Sequence, residues 1–158
     1  MSENVRKRTL FLGTTTNKVD AKGRVSLPSD FRALLKDQNT VIVAYRSFIT
    51  NCIEGCTAER METIFAEIEK SHDPFSEEQD ELTNLIFADA QEFNFDSTGR
   101  ILLTEKLLKH AGINDKAVFV GKGSTFQIWT PEKWEKEEAL MREKALIKRP
   151  HIKRNLGE

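Results

Sequence analysis

Apolar and polar positions alternate in short runs along most of the chain, and the order of those runs occurs twice. In the first half, Thr9-Leu10-Phe11-Leu12-Gly13 predicts a short strand ended by glycine, and Thr14 to Asp20 a second, β-branched one. Arg24-Val25-Ser26-Leu27 alternates as a half-buried strand does. Pro28 then suits the first turn of a helix whose apolar face is Phe31, Leu34 and Leu35. Lys36 to Thr40 is a polar loop. Val41 to Tyr45 and Phe48 to Ile53 predict two strands of a hairpin around Arg46-Ser47.

The middle of the chain changes period. Met61, Ile64, Phe65 and Ile68 form one helical stripe, Asp73-Pro74 breaks it, and Leu82, Leu85 and Ile86 form a second. Both stripes have core spacing and are read as packing surfaces; His72, beside the break, is expected in solvent.

The second half replays the first. Ala90 to Phe95 is a strand, Ile101-Leu102-Leu103 the next, and Thr104 caps a short helix through Leu107 and Leu108 that Gly112 closes. Lys116 to Val120 and Ser124 to Trp129 pair around Gly121-Lys122-Gly123. Thr130-Pro131-Glu132 starts a last helix to about Ile147, with Trp134 and Met141 as its anchors.

The same turn sits at the heart of each half: Asp20-Ala21-Lys22-Gly23-Arg24 and Asp96-Ser97-Thr98-Gly99-Arg100, 76 residues apart. Asp bonds backbone N–H groups two residues on, and glycine takes the positive φ that a Cβ resists. Asp20, Gly23, Asp96 and Gly99 therefore shape the turns and orient Arg24 and Arg100. The plain role of each Asp–Arg pair is to staple its own turn. The further possibility is that a pseudo-two-fold axis brings both turns to one face, with Lys22 and Lys18 adding charge. The halves are not equivalent, because Lys22 aligns with Thr98 and Pro28 with Thr104.

Each repeat, about 45 residues without the middle, is marginal for folding alone. Two intertwined units that share a core are the better expectation. The net charge is −1 but unevenly spread. Between Ala58 and Thr98 twelve acids face Arg60 and Lys70, a net of −10, which leaves +9 on the remainder. The basic residues at each end, Arg6-Lys7-Arg8 and Lys144 to Arg154, are read as solvated, partly disordered termini, the alternative being that they add contacts to DNA. Cys52 and Cys56 neither frame a disulfide scaffold nor complete a metal site, and His72, His110 and His151 stand in unlike contexts. No metal, cofactor or catalytic constellation is expected. Nor is there an apolar run of membrane-spanning length or a signal-peptide core, so a cytoplasmic protein is expected.

The two Asp-x-x-x-Arg motifs, the Asp20-to-Pro28 run, and Phe126-Gln127-Ile128-Trp129 leading to Trp134 resemble those of MraZ proteins, bacterial transcriptional regulators with two AbrB-like domains. The resemblance covers roughly Leu10 to Lys148. It implies an α+β fold in which two AbrB-like swapped-hairpin β-barrel repeats interleave within one chain, with added acidic middle helices and a C-terminal helix. The expected division is 14–60 for the first AbrB-like (SpoVT-AbrB) repeat, 61–89 for the helical connector, 90–133 for the second repeat, and 134–158 for the last helix and basic tail.

It also implies a nucleoid-associated, ring-like homo-oligomer acting as a repressor on double-stranded operator DNA with direct repeats, upstream of the division and cell-wall gene cluster. Arg24, Lys22, Arg100 and Lys18 become the DNA-binding candidates, since Arg can bind guanine bidentately and Lys and Arg neutralise phosphate. The alternative is an antitoxin-like interaction module whose acidic middle is the partner surface.

Overall fold

The computed structural model describes residues 9–35 and 41–152. The basic start, the loop at 36–40 and the tail beyond Ile152 lie outside the described residues. The strands are β1 (Thr14–Lys18), β2 (Arg24–Ser26), β3 (Ile42–Arg46), β4 (Ile53–Thr57), β5 (Gln91–Phe93), β6 (Arg100–Leu102), β7 (Lys116–Gly121) and β8 (Phe126–Trp129). The helices are α1 (Ser29–Ala33), α2 (Ala58–Ser71), α3 (Glu77–Thr83), α4 (Glu105–Ala111) and α5 (Pro131–Lys148), with a π-helical turn over Asn84–Ala88 after α3. The fold is α+β and its strand pairings are antiparallel.

A six-stranded sheet runs in the order β1-β7-β8-β4-β3-β5, and β2 and β6 form a separate two-stranded ribbon. The order crosses the halves. β1 of the first repeat pairs with β7 of the second, and β5 of the second pairs with β3 of the first. Each half thus completes the other's sheet, which relieves the size problem of a 45-residue unit.

Strict alternation along the strands sorts side chains to two faces. Ile42, Ala44, Ile53, Phe119, Phe126 and Ile128 point inward, where they meet Val25, Leu27, Ile101 and Leu103 from the ribbon and its flanks. Phe11, Phe31, Phe119 and Phe126 stack at the centre, with ring centroids 5.0 to 6.3 Å apart. Two of these rings come from each half, and burying each contributes about 1.5–3 kcal/mol. On the other face, Val43, Tyr45 and Cys56 lie under α2 and the π turn. Cys52, Val118, Val120 and Trp129 lie against Trp134 of α5.

Several expectations need correction. Thr9 to Gly13 is not a strand. Phe11 alone bridges Gly123, exchanging backbone bonds of 2.7 and 2.9 Å, while Leu10 and Leu12 are exposed. The second strand of the first hairpin begins at Ile53 rather than Phe48. Ser47 turns the chain first: its hydroxyl accepts the Ile49 and Thr50 N–H groups, and its own N–H donates to the Cys52 carbonyl. In the middle helices Met61, Ile68 and Ile86 are buried, but Phe65 and Leu85 are exposed, so the stripes are narrower than their spacing suggests. His72 is half-buried, with Nδ1 against the Ile68 carbonyl and Nε2 3.2 Å from Glu78. Trp134 packs on Trp129, with centroids 5.7 Å apart, whereas Met141 is 46% exposed and lies outside the buried cluster.

Candidate functional site

The two repeated turns are built alike. In the first, Asp20 Oδ1 accepts the N–H groups of Lys22 (3.0 Å) and Arg24 (2.8 Å), and Oδ2 accepts Arg24 Nε at 2.6 Å. In the second, Asp96 Oδ1 accepts the N–H groups of Thr98 (2.9 Å) and Arg100 (3.0 Å), and Oδ2 accepts Arg100 Nε at 2.9 Å. Gly23 and Gly99 have φ of 92° and 79°, the left-handed region that closes each turn. The donors also act on the acids. The Arg24 backbone N–H holds the Asp20 carboxyl below the usual carboxylate range. The Arg100 backbone N–H and then the Thr98 hydroxyl hold Asp96 well below it. Both acids are therefore ionised at neutral pH, and each fixes the Nε edge of its arginine.

The ribbon brings the turns together. β2 and β6 pair with Val25 opposite Ile101 at the centre, Arg24 opposite Leu102 and Arg100 opposite Ser26. Two further bonds obey the same pseudo-two-fold relation: Leu103 N–H to the Gly23 carbonyl (2.9 Å) and Leu27 N–H to the Gly99 carbonyl (3.4 Å). Arg100 Nη1 lies 3.9 Å from Asp20 Oδ2, so an ion pair joins one repeat's arginine to the other's acid. Arg24 and Arg100 keep about a third of their side-chain surface in solvent (38% and 33%), with each Nε committed to the carboxylate of its own turn. Lys22 is exposed at its turn. Lys18 is exposed at the end of β1, registered against Lys116.

Arg32 is a residue that motif reasoning missed. A Cβ built on Gly99 would fall 3.1 Å from Arg32 Cδ and Cζ, so this α1 side chain lies over the second turn. At the equivalent place, Gly23 faces Leu108, which is Arg32's counterpart 76 residues on. The positive charge lost where Thr98 replaces Lys22 is thus restored from the first repeat. Comparing Arg32 with Leu108 at the repeat offset carries that signal, provided the turns are known to interlock.

A second cluster lies away from the turns. Asp89, just before β5, takes the Arg46 N–H and guanidinium at 2.7 to 3.2 Å and Lys106 Nζ at 2.9 Å, tying β3, the π turn and α4 together. Cys52 and Cys56 are buried free thiols. Burial pushes Cys52 up to about 12 and Cys56 to about 11, so neither is a reactive thiolate at neutral pH. Among the described residues no group of three or more His, Cys, Asp or Glu could hold a metal ion, and no helix is long and apolar enough to cross a membrane.

The family model described as "MraZ protein, putative antitoxin-like" matches residues 10–84 and 86–151, one stretch for each half. A protein of Pelagibacter ubique named transcriptional regulator MraZ is 43% identical over 145 residues, 91% of this chain and 93% of its own length. Proteins of the same name from Rickettsia akari and Rickettsia rickettsii are 44% and 45% identical over 128 residues, 80% of this chain and 85% of theirs.

Proposed function

The chain belongs to the MraZ family, and from that membership we propose that it is a sequence-specific DNA-binding transcriptional regulator. The observation that carries the reading is the reciprocal β2–β6 ribbon, which brings Arg24 and Arg100 together, each on the carboxylate of its own turn, with Arg100 also reaching Asp20 of the other. Holding each Nε removes rotamer freedom in advance and leaves the guanidinium fork for guanine O6 and N7 in the major groove. Lys22 and Arg32 supply phosphate contacts beside the two forks, with Lys18 further out.

The exchange of β1 and β5 between halves supports an AbrB-like swapped-hairpin arrangement, with 14–60 and 90–133 as its two units, 61–89 as connector and 134–158 as appendage. One such reading head is small for a specific site. We read the assembly as a ring-like homo-oligomer that lays several heads on direct repeats of double-stranded DNA, in the cytoplasm at the nucleoid, as a repressor of its own gene and the adjoining division cluster. No catalytic step is assigned. The family description "putative antitoxin-like" keeps a second reading, in which the acidic 61–89 segment binds a basic protein partner.

Fluorescence anisotropy on DNA from upstream of the gene, titrated with salt, tests the first reading. Arg24→Ala and Arg100→Ala are each expected to lose about 1–3 kcal/mol and the preference for specific sequence. Lys22→Ala and Arg32→Ala should weaken all sequences alike and flatten the salt dependence. Wild-type binding by folded Arg24→Ala would leave the turns as staples and favour the partner-binding reading.

A further inference from the structure

On the face of the six-stranded sheet turned away from the ribbon, α2 with the π turn covers one end and α5 the other. Between them lies an open cleft of about 700 Å³. Gln127 and Trp129 of the Phe126-to-Trp129 run and Trp134 beyond it line this cleft. Its floor is a registered row across four strands: Tyr45 opposite Glu54, Glu54 opposite Gln127, Gln127 opposite Val120.

Two of these four, Glu54 and Gln127, are polar where a buried sheet face would ordinarily be apolar. Gln127 is only 8% exposed and is held from both ends of its amide: its Oε1 accepts Trp129 Nε1 at 3.0 Å and its Nε2 donates to Glu54 Oε1 at 2.8 Å. A buried amide oriented from both ends costs desolvation, and its effect here is to hold one carboxylate in place. Among the described residues no hydrogen bond reaches Glu54 Oε2. Glu137 of α5 brings a second carboxylate to the cleft, and Tyr45, Trp129, Trp134 and Phe48 supply aromatic surface. Lys122 stands exposed at the rim, one ammonium against two carboxylates.

We propose that this cleft is a binding site for a small organic cation, an amine or guanidinium carrying a flat apolar body. The carboxylate of Glu54 accepts its N–H groups and the aromatic rings take the apolar body, an arrangement suited to positive charge because ring faces attract cations and ionised carboxylates only accept. The volume suits a molecule of metabolite size. Because the row lies on the face of the sheet opposite the paired turns, the ligand binds away from the DNA-reading residues, and the assignment does not depend on what those turns recognise.

Both tryptophans of the chain, Trp129 and Trp134, line the cleft, so intrinsic fluorescence of the full-length protein reports on it directly. Titration with phenethylammonium is expected to give a saturable change, with binding roughly tenfold tighter than that of phenethyl alcohol, which has the same body without the charge. Hydrocinnamate should bind more weakly still. Glu54→Gln, which retains an acceptor for Gln127, should erase the preference for the ammonium. Glu137→Gln, on the more accessible helix, should reduce it and serves if the first variant fails to fold. Equal binding of ammonium and alcohol, no saturation by either, or an unchanged preference in a folded Glu54→Gln variant overturns the proposal. So does a change in emission with protein concentration alone, accompanied by a larger hydrodynamic size, which would make a second copy of the chain the occupant.

Discussion

Asp89 shows how much a single side chain can hold. Its carboxylate is nearly enclosed, with 8% of its side chain exposed, and it accepts from Arg46 and Lys106 at once. Burial acts to raise its pKa, but the Arg46 side-chain and backbone bonds and the Lys106 bond outweigh it, and the group titrates well below its ordinary value. A depressed folded pKa contributes stability that is complete above the unfolded value of about 3.9 and is lost as pH falls through the folded value. Asp89→Asn is therefore expected to cost about 2 kcal/mol at neutral pH. The difference from wild type, followed by urea unfolding at a series of pH values, should shrink steadily below about pH 4. A constant difference across that range would show that the acid acts through packing alone. In the sequence Asp89 is one of twelve acids in a run, and its partner Arg46 is 43 residues away with no local pattern to join them. Asp20 and Asp96 were legible because their partners lie four residues on, within one turn.

Helix ends follow local rules, and those of α4 and α5 are legible in the sequence, whereas Pro28 precedes α1 as its N-cap rather than lying in its first turn. Thr104 accepts the Leu107 N–H at 3.4 Å, and Gly112 closes α4 with φ of 66°. Thr130 accepts the Lys133 N–H at 3.2 Å ahead of Pro131. α5 has no buried residue of its own and rests on the sheet through Trp134, so its first turn matters more than that of a packed helix. Thr130→Ala should cost about 1 kcal/mol and fray α5 from its start, seen as faster amide exchange at residues 132–135 and a red shift of Trp134 emission. The second strand of the first hairpin was misplaced because Phe48 and Ile49 have strand propensity and yet are exposed; the Ser47 hydroxyl spends the backbone donors on a turn instead. Propensity names a residue's preference, and the hydrogen-bond partner decides.

At the scale of the molecule, the 76-residue repeat made a shared core legible, while the strand exchange itself was expected only through resemblance. Because β1 and β5 each complete the opposite half, and Phe11, Phe31, Phe119 and Phe126 form one cluster, the two repeats cannot unfold separately. Equilibrium denaturation should give one transition, with tryptophan emission and far-ultraviolet circular dichroism coincident. Two resolved transitions would contradict a common core. The exchange also has a bearing on how the protein is made. Thr14 pairs with Val120, and Val25 with Ile101, so the partners of the first-made strands leave the ribosome only after the middle helices. Until then the nascent chain holds one turn without its mate, and a polypeptide cut short anywhere before β6 carries a single arginine fork. Only a chain translated well into its second half possesses both halves of the paired turn.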